Sequence, residues 1–302
     1  MRKCLAFLAA LAMVPCAHAA DGPLLTGLQY PEGVLVHRGV VYFAEMDADR
    51  IMASADGETF REAWREDGCG PTSLAPLAEA RFLITCHMGG GLRLWDAAAN
   101  ATIRAPEPDA APVMRGNDSV SDGAGGAFFS DSGEFAPDAA RVGRVMHYSA
   151  AGYRTVASGL AYANGVAYDA ATDALYVSEH LGRRILRIAH PLDASRRKVE
   201  TFWDYAQKPC AEAGAKRWLF GPDGLELRPG GGLFVAIYGG EAVYELDAAG
   251  GCAAVRRLPA VLVTSSAADE ARGALWIVSP GLISDPRHGG LFRQPLRRAE
   301  PQ

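Results

Sequence analysis

Asn164-Gly165-Val166, then Ala174-Leu175-Tyr176-Val177-Ser178, then Arg184-Ile185-Leu186-Arg187-Ile188 is the stretch that decides the fold. An oxygen-bearing residue and a small one open a first apolar segment, a polar turn leads to a second β-prone run, and a third follows. Short β-prone runs separated by turn residues read as antiparallel strands. The opening triplet recurs at Glu32-Gly33-Val34, Thr72-Ser73-Leu74, Asp118-Ser119-Val120, Asp223-Gly224-Leu225 and Ser265-Ser266-Ala267. The gaps between first residues are 40, 46, 46, 59 and 42, a mean of about 47, which is the size of one propeller blade. Most copies precede a second run such as Val40 to Ala44, Arg81 to Thr85 or Ala274 to Val278, suited to burial on both faces. Six four-stranded units predict an all-β, six-bladed β-propeller around a central channel, with a β-sandwich as the competing fold. The 59-residue gap marks an insertion around Gln207 to Trp218. Residues near Leu24 to Gln29 are expected to complete the last blade.

Composition agrees with this reading and excludes several function classes. Apolar residues make up 49% of the 302-residue chain, and 34 glycines with 18 prolines supply many turns. The formal charge is −5, and no basic stripe follows a phosphate backbone, so nucleic acid is not an expected partner. Arg2-Lys3, the apolar run to Pro15 and Ala17-His18-Ala19 read as a cleavable export signal over residues 1–19. Residues 20–302 then form a single propeller domain in the periplasm or outside the cell. The run is too short to span a bilayer, and a lipidated Cys16 is disfavoured by Val14-Pro15.

Removal of the signal leaves Cys69, Cys86, Cys210 and Cys252, and an even set in an exported protein points to disulfides. Pairing Cys69 with Cys86 and Cys210 with Cys252 keeps each bridge within one repeat or its inserted loop. Zinc is the competing use, but there is no C-x-x-C pair.

In a propeller the innermost strands line the axis, so the six opening residues converge. That column is Glu32, Thr72, Asp118, Asn164, Asp223 and Ser265, all oxygen-bearing. Converging carboxylates repel unless a cation or protons neutralise them. Carboxylate and amide oxygens select a hard ion, calcium first, with magnesium, manganese or zinc as alternatives. Short polar residues also satisfy backbone groups at strand starts, and Thr72 and Ser265 are read that way.

Tyr30-Pro31-Glu32-Gly33, Arg115-Gly116-Asn117-Asp118, Ala163-Asn164-Gly165-Val166 and Pro222-Asp223-Gly224, in order and at blade spacing, resemble the SMP-30/gluconolactonase family of calcium-dependent lactonases. The resemblance implies one divalent cation on Glu32, Asn164 and Asp223, and substrate contacts from Arg115 and Asn117. It also implies that Asp118 lies near the metal or its water. Val34 and Ser119-Val120 depart from the family's usual residues at those places. The implied activity is hydrolysis of a small lactone, such as a sugar lactone, with Asp223 or Asp118 as the base. The alternative is a non-catalytic propeller that binds a small molecule or protein and uses the cation as a brace. Oligomeric state is left open. His87 and His180 each end a predicted strand and are candidates for the channel mouth. Arg183-Arg184 and Arg196-Arg197-Lys198 read as solvated edge and loop charges.

Overall fold

The computed structural model describes residues 22–106, 112–211 and 219–296, so the expected export signal lies outside the described residues. Six antiparallel sheets stand around one axis. Their innermost strands are Pro31–His37, Pro71–Ala78, Gly116–Ser121, Ala163–Asp169, Gly221–Leu227 and Ser265–Asp269. In five blades the chain runs outward strand by strand. In the sixth, Leu25–Leu28 supplies the outermost strand by pairing with Gly289–Pro295, Leu25 opposite Leu291. The predicted six-bladed propeller and its N-terminal closure are therefore both present. Among the described residues the only helical turn is the 3-10 turn Met46–Ala48.

The expected burial of the second strands is found: Ala127–Asp131 and Ala274–Ser279 are buried at every position. Their apolar side chains do not meet in one central core. Each pair of neighbouring blades encloses its own cluster, as where Ile185 and Trp203 of the fourth blade meet Val235, Ile237 and Tyr244 of the fifth. The sixth and first blades close the ring in the same way, with Trp276 and Val278 against Val41 and Phe43. Sheets packed face to face around a ring leave the axis free for polar side chains.

Both predicted disulfides are present, Cys69–Cys86 and Cys210–Cys252. The second ties the inserted segment, described as far as Ala211, to the outermost strand of the fifth blade, Cys252–Arg257. The fifth blade also carries two short strands that the sequence reading did not foresee. Ala260–Leu262 and Gly281–Leu282 pair with each other, and Leu262 stands opposite Tyr238.

Candidate metal centre at the hub of the ring

Five of the six innermost strands break their ladder where the column residue stands. Pairing skips from Pro31 to Val34, Pro71 to Ser73, Gly116 to Ser119, Ala163 to Val166 and Pro222 to Leu225. The bulge releases Glu32, Thr72, Asp118, Asn164 and Asp223 from regular pairing and re-aims their side chains. Ser265 has no bulge and stays in register opposite Val278; its hydroxyl accepts the Val34 N–H at 3.4 Å. The Thr72 hydroxyl donates to the Asn117 carbonyl at 2.6 Å. Both serve backbone groups.

The strand starts are pinned by a repeated device that sequence reading missed. A buried carboxylate at the end of the second strand accepts the backbone N–H three residues before a column residue. Glu45 holds Gln29, Asp131 holds Arg115 and Glu179 holds Ala161, each at 2.8 Å. The other oxygen of each is bound by an arginine: Arg50 at 2.7 Å, Arg144 at 2.7 Å and Arg184 at 2.6 Å. Arg184 is therefore the partner of a fully buried carboxylate, not the solvated edge charge expected, because Glu179 needs a counter-charge. In the second blade the equivalent positions, Cys69 and Cys86, carry the disulfide instead.

At the centre of the channel one small cavity is lined by Glu32, Thr72, Asn117, Asp118, Asn164, Asp223 and Ser265. Glu32, Asn164 and Asp223 also line the mouth above it, a space of about 40 Å³ walled by Tyr30, Phe135, Tyr162, His180 and Tyr238. The structure thus brings Glu32, Asn117, Asp118, Asn164 and Asp223 together. Arg115 is exposed and lines neither space, and His87 is turned to the Gly116 carbonyl at 3.1 Å. The Asp118 oxygens accept the Ser119 and Val166 N–H groups at 2.8 and 2.9 Å.

Glu32 Oε2 and Asn164 Oδ1 are buried without a hydrogen-bond partner among the described residues. Leaving such acceptors bare is costly unless something positive meets them. Among the described residues no three His, Cys, Asp or Glu side chains form a metal centre by themselves. Here the Asn164 amide, hydrogen-bonded to Asp223, belongs to the set. Hard divalent ions take such carboxylate and amide oxygens, so the donor set fits a cation.

Burial, with Asp118 and Asp47 nearby, pushes the Glu32 carboxyl up to about 8. Burial raises Asp118 to about 7. Burial together with Glu32 and Asp118 holds Asp223 well above the carboxylate range. These groups keep protons in the metal-free folded chain that the unfolded chain has released. Stability of the metal-free protein should therefore fall as pH rises towards 8. An ordinary histidine is still half protonated at pH about 6.5 and nearly neutral only above pH about 7.5, where these carboxyls should dominate the slope. In chelator, the melting temperature is expected to drop by roughly 5 °C between pH 6.5 and 8. A saturating divalent cation should flatten that slope, and a thermal melt series at fixed ionic strength reads both.

Residues 30–281 match the model of the SMP-30/Gluconolactonase/LRE-like region. The calcium-binding protein regucalcin from Agrobacterium tumefaciens superposes with a TM-score of 0.74 at 20% identity, covering 93% of this chain and 98% of that one. A gluconolactonase from Xanthomonas campestris gives 0.71 at 18% identity, covering 90% and 89%. Streptogramin B lyase gives 0.61 at 13% identity, covering 89% and 95%. No curated protein matches the chain.

Proposed function

The chain belongs to the SMP-30/gluconolactonase/LRE-like family, and on that premise we propose that it is an exported, metal-dependent hydrolase of small lactones. The observation that carries the reading is the convergence of Glu32, Asn164 and Asp223 on one small space with two buried oxygens left without partners among the described residues. Those three residues would hold one divalent cation, calcium first. When bound, the ion supplies Lewis-acid polarisation of the lactone carbonyl.

The chain's own residues divide the remaining work. Asp223 is the base: it lines the aromatic mouth, whereas Asp118 does not line that mouth and both its oxygens are held by backbone N–H groups. It takes a proton from the attacking water as the water oxygen bonds to the carbonyl carbon. The ring C–O bond then breaks, its oxygen is protonated, and a hydroxy acid leaves. Asp118 braces the fourth blade by accepting the Val166 N–H beside Asn164. Asn117 lines the cavity, and its side-chain amide would offer both donor and acceptor to the substrate. Arg115, at the head of the same strand, meets polar substituents outside the mouth. Tyr30 and Tyr238, joined through their hydroxyls at 2.9 Å, and the rings of Phe135 and Tyr162 shield the reacting bond from water.

Export is supported by the two disulfides, which persist in oxidising compartments. Among the described residues no helix is long and apolar enough to cross a membrane.

One observation favours a second reading. A mouth of about 40 Å³ is tight for a ring substrate, as a non-catalytic propeller with a bracing cation would have. A pH-indicator assay over γ- and δ-lactones, with calcium, manganese, zinc or chelator, separates the two. Cation-dependent acid release supports hydrolysis. No turnover across the panel, together with cation-linked stability, leaves the binding propeller.

A further inference from the structure

The aromatic mouth and a wider chamber stand at opposite ends of the axial channel. Residues that precede the column in sequence, such as Tyr30 and Tyr162, wall the mouth. Residues that follow it, such as Leu35, Val120, Tyr168 and Leu227, wall a chamber of about 210 Å³ to which the innermost strands of all six blades contribute. Asp118 lines both this chamber and the small hub cavity, so the two spaces adjoin. An apolar cavity of about 150 Å³ already takes a benzene ring. The chamber therefore has room for an organic body, and a bare ion would not fill it.

Its chemistry is one-sided. Val34, Leu74, Val166 and Leu225 bring apolar surface, and besides the Tyr168 phenol the only ionisable lining groups are the carboxyls of Asp118 and Glu226. Among the described residues no lysine, arginine or histidine lines it. An anion, such as a hydroxy acid, would meet only repulsion there. Glu226 Oε1 accepts the Ala268 N–H of the sixth blade at 3.3 Å. That duty does not call for charge: the neutral Ser265 hydroxyl serves the Val34 N–H at 3.4 Å in the same way. Two residues before Ala268, Ser266 is 3% exposed and also lines the chamber, and its hydroxyl has no hydrogen-bond partner among the described residues. Leaving a buried hydroxyl bare is costly. Burial, with Asp118 nearby, raises the Glu226 carboxyl to about 7, and a cation brought into the chamber would favour its charged form.

We propose that this second chamber is a binding site, separate from the lactone mouth, for a small organic ammonium whose apolar body fills the space and whose N–H groups meet Glu226 and Ser266. An ammonium donates hydrogen bonds and accepts none, and a carboxylate and a hydroxyl both offer it oxygen acceptors. The chamber takes no part in lactone hydrolysis, so the proposal stands apart from the reaction assigned to the hub.

The test uses the full chain, saturated with calcium, and three probes of similar size: benzylammonium, benzyl alcohol and benzoate. Calorimetry on the wild type should show benzylammonium binding at least about tenfold tighter than benzyl alcohol, and no binding of benzoate. Glu226→Gln keeps an acceptor for the Ala268 N–H and removes the charge, so benzylammonium affinity should fall at least about tenfold. Ser266→Ala should cost about fivefold, whereas Phe135→Ala, at the mouth, should leave affinity within about twofold. Circular dichroism confirms that each variant is folded. Failure of the wild type to bind benzylammonium, or equal binding of benzylammonium and benzyl alcohol, overturns the proposal without recourse to any variant. So does undiminished affinity in both Glu226→Gln and Ser266→Ala. A loss in Phe135→Ala instead would put the amine in the mouth and overturn it as well. Lactone turnover by the same preparation tests the hub alone, so the two readings fail separately.

Discussion

Asp223→Asn is expected to lower lactone turnover at least about a thousandfold, equivalent to about 4 kcal/mol of transition-state stabilisation. The variant keeps the shape of the side chain, and the Ser178 hydroxyl still holds the residue 223 carbonyl at 2.7 Å. What it removes is one negative charge from a space shared with Glu32 and Asp118. Two effects should therefore move in opposite directions. The metal-free variant should melt higher than the metal-free wild type, because one crowded buried acid is gone. Added cation should stabilise the wild type by about 2.7 kcal/mol at a hundred times its dissociation constant and leave the variant unchanged. Melting curves with cation and with chelator, beside the lactone assay, read all of this. Full turnover by the variant without added metal would sink both the ion's role and that of Asp223.

The parts of this site that could be read in the sequence are those that repeat. Glu32-Gly33, Asn164-Gly165 and Asp223-Gly224 stand at the same place in the blade period, and a ring turns equal places along the chain into neighbours in space. Closure by Leu25–Leu28 belongs to the same geometry: the ring sets this strand beside the last blade, Leu25 opposite Leu291. The carboxylate clamps repeat too, yet their arginines follow at uneven spacing. Glu45 and Glu179 meet an arginine five residues on, whereas Asp131 meets Arg144 across a loop. Sequence reading also assigns strand-end charges to solvent by default, so a buried pair such as Glu179 with Arg184 is easily missed. His180 is expected at the mouth from its position, but the carbonyl that its Nε2 meets, that of Leu219, lies 39 residues away. No local pattern carries that information.

Gly165→Ala is expected to cost at least about 3 kcal/mol of stability, at the upper end of overpacking effects, and to weaken cation binding with it. A Cβ at residue 165 would fall on the Asp223 carbonyl oxygen and lie 2.7 Å from both Gly224 Cα and Leu225 N. All of these are backbone atoms of the next blade's innermost strand, so no flexible side chain can yield. Gly33 and Gly224 face the same obstacle, meeting the backbone of residues 72–73 and 264–265. The glycine after each proposed ligand is thus what lets neighbouring innermost strands approach closely at the hub. Serine occupies the equivalent position after Thr72, Asp118 and Ser265. The collision in Gly165→Ala involves residues 165 and 223, so relief must displace Asn164 or Asp223, and cation affinity should fall even in the molecules that remain folded. Ser119→Ala is the control: it keeps the Cβ and loses only the 2.6 Å hydroxyl contact with Ser73, at about 1 kcal/mol. Urea unfolding of both variants, with calorimetry on the folded fraction, tests the claim. If Gly165→Ala lost no more stability than Ser119→Ala, close backbone approach would not be the reason for glycine at the hub.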